Sequence, residues 1–376
     1  MMPLGKLKMN KKERVMRALD HEEPDLVPMT EMSIDPRHLE TITQTKFIGE
    51  TSLQTPVSAD RRAEINKVAM FILAYRILGF ELLPCDLSAP DGWCPRRNPD
   101  GTMTDEWGRV LSYDSRCKTW VPTGSVFAAP EDFERFPFPD PHAPGRTFAI
   151  VEMKNNIGDE MALAAFIRDP FAHAWEMFKT TDFVRWFYED PHFIQRVIER
   201  ITDFNIEMIK QVGDAKVDLI ISGGDYSEKR GPLVPIRFFK DVVFPNLRRQ
   251  VDAAHKAGFR FIKHSDGNLN LILDDLASIV DGLHSLDPTA GMNIEDVKLR
   301  YGDRLVLIGN VAVDNLCRKM KEEIVEETRE SLRRAAPGGG YILSSSNSWY
   351  TDTKLENCLA MVDAGRRYGA YPMNIS

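Results

Sequence analysis

Hydrophobic and polar positions alternate along most of the chain between two rhythms. Met161 to Ile167 is a short apolar run of strand type, and Ile201, Phe204 and Met208 then mark one face of a helix that closes at Gly213. Val217 to Ser222 is a second apolar run, bounded by Gly223, Gly224 and Asp225. Pro235 opens a long helix with Leu247, Val251 and Ala254 on its apolar face, and Gly258 ends it just before the run Arg260 to Ser265. Further strands are predicted at Val280 to Leu286, Arg304 to Gly309 and Gly340 to Ser345, with helices at Asn268 to Ile279 and Met320 to Ala335 between them. Near the start, Asn10 and Glu13 form a capping box for a helix carrying Val15 and Leu19, and Leu26 to Glu31 is a plausible first strand. Strands that alternate with helices, each a short apolar run, imply a parallel sheet covered on both faces. The strand count reaches about eight, which predicts an α/β fold of the (β/α)8, or TIM barrel, type.

One barrel spanning residues 1–376 is expected, with an N-terminal elaboration. The stretch from about Thr41 to Pro141 has a helical pattern at Lys67 to Leu78 and is otherwise rich in turns and aromatics; about 85–145 reads as an insertion. Within it, Val110, Tyr113 and Trp120 suggest a small antiparallel ribbon, and Pro137, Pro139, Pro141 and Pro144 mark the return to the core. An open doubly wound sheet is the competing architecture, but its glycine-rich first turn is missing. Gly338, Gly339 and Gly340 precede a strand and read as a turn.

Catalytic residues of such barrels sit at the C-terminal ends of the strands, and here those ends are polar. They offer Glu31, Asp225 with Tyr226, His264 with Asp266, His284 with Asp287, Asn310, and the run Ser344, Ser345, Ser346, Asn347. Lys229 and Arg230 follow the Asp225 strand end and could pair with an acidic substrate group, or be solvated loop charges. Trp349 and Tyr350 could line a ring-accepting pocket or pack the barrel rim. Each polar end also has a plain reading, because loops are polar and short Asp or Asn side chains favour turns. His264 and Asp266 stand out, since two residues apart on a strand they share a face, and burying both costs free energy unless something binds them.

Charge narrows the partners. The 376 residues carry a formal charge of -8, which argues against nucleic acid and anionic membranes and in favour of a small-molecule substrate or another protein. A homodimer is left open. No run approaches the ~20 apolar residues of a membrane span, and the first residues lack the apolar core of a signal peptide, so a cytoplasmic location is expected. Five cysteines, Cys85, Cys94, Cys117, Cys317 and Cys358, contain no CxxC pair and suggest mostly buried, reduced thiols.

Several blocks together resemble the uroporphyrinogen decarboxylase superfamily. They are Lys11 to Leu19 with His21 to Asp25, Gly224-Asp225-Tyr226 through Lys229-Arg230-Gly231-Pro232, His264-Ser265-Asp266-Gly267-Asn268, Tyr301-Gly302-Asp303-Arg304 through Gly309-Asn310-Val311, and Gly338 to Leu343. The resemblance implies a (β/α)8 barrel and one of two activities: metal-free decarboxylation of a tetrapyrrole bearing acetate arms, or zinc-dependent methyl transfer to or from a corrinoid protein. The decarboxylases place an Arg-Gln-Ala-Gly-Arg element after the first strand. This chain has Met29 to His38 there, with Glu31 where arginine is wanted and a single Arg37. The methyltransferases use His-x-Cys and a later Cys to hold zinc; here those places read His264-x-Asp266 and Ser344-Ser345-Ser346.

The expected function is therefore methyl transfer from a methylated substrate, an aryl methyl ether favoured, to a corrinoid (cobalamin) carried by a partner protein. Zinc would sit in a nitrogen and oxygen site of His264, Asp266 and Glu31, or Asp225 in place of Glu31. The catalytic set is Asp225, Tyr226, His264 and Asp266, and the substrate-binding set is Glu31, Lys229, Arg230, His284, Asn310, Ser346 and Trp349. Two alternatives stand beside it. One is decarboxylation of uroporphyrinogen or another acid, with Asp266 or Asp225 relaying the proton and Arg230 holding the carboxylate; the other is a non-catalytic barrel that binds a tetrapyrrole or corrinoid.

Overall fold

A computed structural model of the chain describes residues 9–48, 60–115 and 119–373. Seven parallel strands form one curled sheet: β1 (Leu82–Asp86), β6 (Ala162–Arg168), β7 (Leu219–Gly223), β10 (Arg260–Ser265), β11 (Gly282–Ser285), β12 (Val306–Val311) and β13 (Tyr341–Ser345), in that order. Each strand lies beside its predecessor in the parallel set. That is the signature of successive right-handed strand-helix-strand crossovers.

Residues 27–31 close the sheet. Met29 bridges to Leu343 of β13 and Thr30 bridges to Leu82 of β1, both in parallel sense. The Thr30 N–H donates to the Leu343 carbonyl at 3.0 Å, and the Leu343 N–H donates to the Pro28 carbonyl at 2.9 Å. Pro28 has no N–H to give, so this segment makes isolated bridges where its neighbours make ladders. With it the sheet has both edges paired, as the (β/α)8 barrel requires.

The barrel interior is filled by Leu82, Ala162, Ala164, Leu219, Ile221, Ile262, Val306, Ile308 and Ile342. Val15, Ala18 and Leu19 of the helix Lys11–Leu19 join the same cluster and plug its N-terminal end. The predicted cap is present, with Asn10 accepting from the Glu13 N–H at 2.8 Å. The alternate residues of the strands point outward into a larger apolar layer beneath the surrounding helices.

The structure departs from the sequence pattern in three places. β1 falls in the stretch read as elaboration, because Pro84 at its centre and the short run Leu82–Asp86 weaken the strand signal. The helix expected over Asn268 to Ile279 is shortened to Leu273–Ala277. The long helix begun at Pro235 runs as Ile236–Phe238, a π-helical turn Phe239–Val243, and Phe244–Lys256. Pro245 cannot donate to the preceding turn, which accounts for the change of hydrogen-bond spacing there.

The antiparallel ribbon is found as a four-stranded sheet of β2 (Arg96–Arg97), β3 (Met103–Thr104), β4 (Val110–Asp114) and β5 (Thr119–Pro122). Tyr113 pairs with Trp120 across it. A hairpin of β8 (Ser227–Glu228) and β9 (Gly231–Pro232) follows β7. Cys85 and Cys358 are buried, Cys94 is exposed and Cys317 is half-buried, all unbridged; Cys117 lies outside the described residues. Among the described residues, no helix is long and apolar enough to cross a membrane.

The plug gives a direct test. Leu19 is fully enclosed at the barrel base, so Leu19→Ala should lower the unfolding free energy by about 2–5 kcal/mol in urea titrations, with an unchanged slope.

Candidate active site

Three strand ends converge at the C-terminal mouth. His264 faces the barrel interior, two residues beyond Ile262, in register with Gly223 of β7 and His284 of β11. Asp225 follows β7 across Gly224, where a Cβ would lie 2.4 Å from that of Ala172. Asp266 follows β10 and is turned by Gly267, which has φ +84° and whose Cβ would lie 2.4 Å from the Ser227 carbonyl. These two glycines let the loops approach closely enough for their carboxylates to meet.

The resulting geometry leaves a gap lined by donors. His264 Nε2 lies 3.9 Å from Asp225 Oδ1 and 3.9 Å from Asp266 Oδ1. One atom from each of the three residues falls within 4.8 Å of the others, the separation expected of groups that could hold a metal ion. Asp225 Oδ1 accepts the Asp266 N–H at 2.9 Å, and Asn347 Nδ2 donates to Asp266 Oδ2. Asp266 Oδ1 is buried and has no hydrogen-bond partner. On the far side, His264 Nδ1 meets His284 Nδ1 at 2.6 Å, so one of the two carries the proton between them.

Burial sets the electrostatics of these groups. Burial, with the charge of Asp225 adding to it, pushes the Asp266 carboxyl up to about 7. Burial also brings the His264 imidazole down to about 4, against the pull of Asp225. His264 is thus a neutral imidazole near pH 7, and Asp266 a carboxyl that resists ionising. A metal ion would reverse the preference of Asp266, and the unprotonated Nε2 is the form a metal needs. The donor set, one nitrogen and two oxygens with a free coordination face, fits an open metal site.

Glu31 does not join this group. Its buried carboxylate accepts from Ser345 Oγ at 2.9 Å, from the Ser345 N–H at 3.3 Å and from the Met32 N–H at 3.1 Å. Burial pushes it up to about 8 despite these bonds.

The other candidates are dispersed. Tyr226 is buried and its hydroxyl donates to Asp169 at 2.7 Å, away from the mouth. His284 stands behind His264, also enclosed. Asn310 donates to the Leu286 carbonyl at 3.0 Å and accepts from Ser331 of an outer helix at 3.3 Å. Ser346 Oγ accepts the Val313 N–H at 3.1 Å and so starts a helix. Lys229 is exposed and pairs with Asp314 at 3.4 Å, and Arg230 is exposed; neither lines the cavity described next. Trp349 is buried against Phe80, with ring centres 5.8 Å apart, and does line it.

A cavity of about 950 Å³ runs from His264 and Asn347 past Phe166, Trp349 and Tyr350 to Trp107, Phe204 and the antiparallel sheet. Aromatic rings, among them Phe166, Trp349, Tyr350, Trp107 and Phe204, share its walls with charged residues, of which Arg146 is paired with Glu106 and Arg168 with Glu176. Asn347, one of the polar strand-end candidates, contributes to the site through Asp266, and Lys263 and Asp169 contribute without any candidate role in the sequence. Lys263 had a legible signal, a charged residue inside an otherwise apolar parallel strand.

A closed (β/α)8 barrel with titratable side chains gathered at its C-terminal mouth defines the class. The chain belongs to the uroporphyrinogen decarboxylase (URO-D) family, whose model matches residues 119–368. It is 22% identical over 373 residues to the uroporphyrinogen decarboxylase of Vibrio vulnificus strain YJ016, covering 94% of this chain and 96% of that protein. Among solved structures, it is similar to a methyltransferase from Methanosarcina mazei, with a TM-score of 0.71, 18% identity, and 96% of this chain and 100% of that one covered. A B12-independent methionine synthase from Shewanella sp. W3-18-1 matches with a TM-score of 0.55 and 13% identity over 91% of this chain and 97% of that one. At these identities the structural likeness speaks for the fold alone.

Glu31 supplies a pH test. Its carboxyl titrates near 4.5 when unfolded and near 8 when folded, so the folded state holds the proton longer and stability falls as pH rises between those values. Glu31→Gln cannot ionise. Its stability relative to the parent should therefore climb from pH 4.5 to 8 and level off above, as read by thermal unfolding; a flat difference would contradict the burial argument.

Proposed function

We propose that the protein is a cytoplasmic, metal-assisted methyltransferase that moves a methyl group from a small methylated substrate, an aryl methyl ether favoured, to a corrinoid carried by a partner protein. The observation that carries this reading is the convergence of Asp225, His264 and Asp266, with one orphaned carboxylate oxygen, beside a cavity that His264 lines together with Phe166, Trp349 and Tyr350. Zinc is the metal favoured. When bound, it would supply Lewis acidity to the oxygen that loses the methyl group.

The chain's own residues do the rest. His264, Asp225 and Asp266 would hold the metal, and Asn347 fixes Asp266 by its second oxygen so that Oδ1 faces the gap. The contact between His264 Nδ1 and His284 Nδ1 fixes the ring plane, and with the shared proton on His264 it would leave Nε2 bare for the metal. Phe166, Trp349 and Tyr350 line the approach to His264 and would seat an aryl ring and exclude water from it. Two carboxylates and one imidazole make a harder centre than thiolates would, suited to an ether or phenolate oxygen.

Decarboxylation of a polyanionic tetrapyrrole is less well supported. Arg230, the residue expected to hold a carboxylate, is outside the cavity, and Arg146 and Arg168 inside it already have counter-ions. Asp225 and Asp266 would add repulsion at the mouth.

Metal analysis and a transfer assay test the reading together. The parent should bind one zinc per chain and, with a reduced corrinoid protein, release the phenol from a methoxyarene. His264→Ala and Asp225→Ala should each weaken zinc binding by at least about 100-fold and abolish transfer. Transfer at the parent rate by metal-stripped protein would overturn the assignment.

A further inference from the structure

Directly behind His264, with its side chain turned to the helix layer, Lys263 is completely buried. A buried ammonium is costly, and its three protons are all used. Nζ donates to the Gly224 carbonyl at 2.6 Å and to the His264 carbonyl at 2.9 Å, and it forms an ion pair with Asp169 at 3.2 Å. It also lies over the Tyr226 ring, 4.1 Å from its centre. Asp169 is enclosed as well. Its Oδ2 accepts the Tyr226 hydroxyl at 2.7 Å, while Oδ1 accepts the N–H groups of Phe171 and Ala172 at 2.9 and 3.3 Å. Its own N–H donates to the Gly223 carbonyl at 2.8 Å.

These bonds share a target. Gly224 and Tyr226 flank Asp225, and His264 is itself one of the three converging groups, with Asp266 two residues on. An ammonium that grips the Gly224 and His264 carbonyls at once fixes the exit of β7 against the exit of β10. The Tyr226 hydroxyl on Asp169 fixes the other side of Asp225. Nothing in packing alone requires a charge here, because a methionine of similar length could lie against the Tyr226 ring, which itself packs on Phe171 and Phe239 at 5.9 and 5.3 Å.

We propose that Lys263, held by Asp169, is a positioning residue: its clamp on the Gly224 and His264 carbonyls sets the spacing of Asp225 against His264 and Asp266. The consequence for metal binding rests on the functional reading above; the clamp itself does not.

The test uses the full chain with Lys263→Met and Asp169→Leu combined, which removes both charges so that neither is left buried and unpaired. Two readouts are taken: zinc affinity, and hydrogen exchange of the metal-free protein in the peptide containing Asp266, whose N–H is bonded to Asp225. The double variant should bind zinc about 10–100-fold more weakly, the range typical of groups that orient ligands. Exchange at Asp266 should be several-fold faster, with β12 and β13 unchanged. Parent-like values in both readouts would overturn the proposal. If the parent itself binds no zinc, the metal reading fails and the exchange result alone decides the clamp. Should the double variant not fold, Tyr226→Phe removes one bond of the same network, and faster exchange at Asp266 supports the clamp while parent-like exchange overturns it.

Discussion

Closure of the sheet by residues 27–31 is the constraint on which the site depends. A parallel sheet with an unpaired edge leaves backbone donors and acceptors exposed, and bridging Met29 to Leu343 and Thr30 to Leu82 removes that edge. The same contact brings Glu31 against Ser345 and holds the end of β13 in place. Asn347, two residues past that end, then reaches across the mouth to Asp266. A segment too short to form a ladder, interrupted by Pro28, thus ties the first strand end to the last and braces the carboxylate that faces the gap.

The period of two in β10 divides labour within a single strand. Ile262 and His264 point into the barrel, the first as packing and the second as a donor to the mouth. Phe261 and Lys263 point outward, the first as packing beneath the helices and the second as an internal strut. Replacing the strut's charge with an apolar group need not weaken the fold, since buried ion pairs often contribute little net stability. What the charge adds is a pair of directional bonds to two carbonyls, which an apolar group could not make.

The barrel was legible because its buried strands are apolar runs separated by helices of regular period, and that pattern survives at β6, β7, β10, β11, β12 and β13. β1 was not, since Pro84 and a five-residue length give neither period a foothold. His264 and Asp266 were legible as a pair because two-residue spacing on a strand guarantees a common face. The choice between Glu31 and Asp225 as their companion was not, because it turns on which carboxylate finds other donors. Glu31 is taken by Ser345 and Met32, whereas Asp225 receives only the Asp266 N–H among the hydrogen bonds described, and no spacing in the sequence encodes that. His284, Asn310 and Ser346 show the same limit: each lies at a strand end, yet each is consumed by neighbours that only the folded chain brings near.

Within the URO-D family the electrostatics of the mouth separate chemistries that share one barrel. A polyanionic substrate needs fixed, unpaired cations where its carboxylates arrive, and this mouth presents Asp225 and Asp266, with Arg146 and Arg168 already matched by Glu106 and Glu176. A cation reverses the problem. Asp266, held near neutral because its charge is buried beside Asp225, would be favoured as an anion with a positive ion between them, and His264, too weak a base there to be protonated, would be available as a ligand. Ionising Asp266 costs free energy in the protein alone, and a cation held between Asp266 and Asp225 would offset that cost.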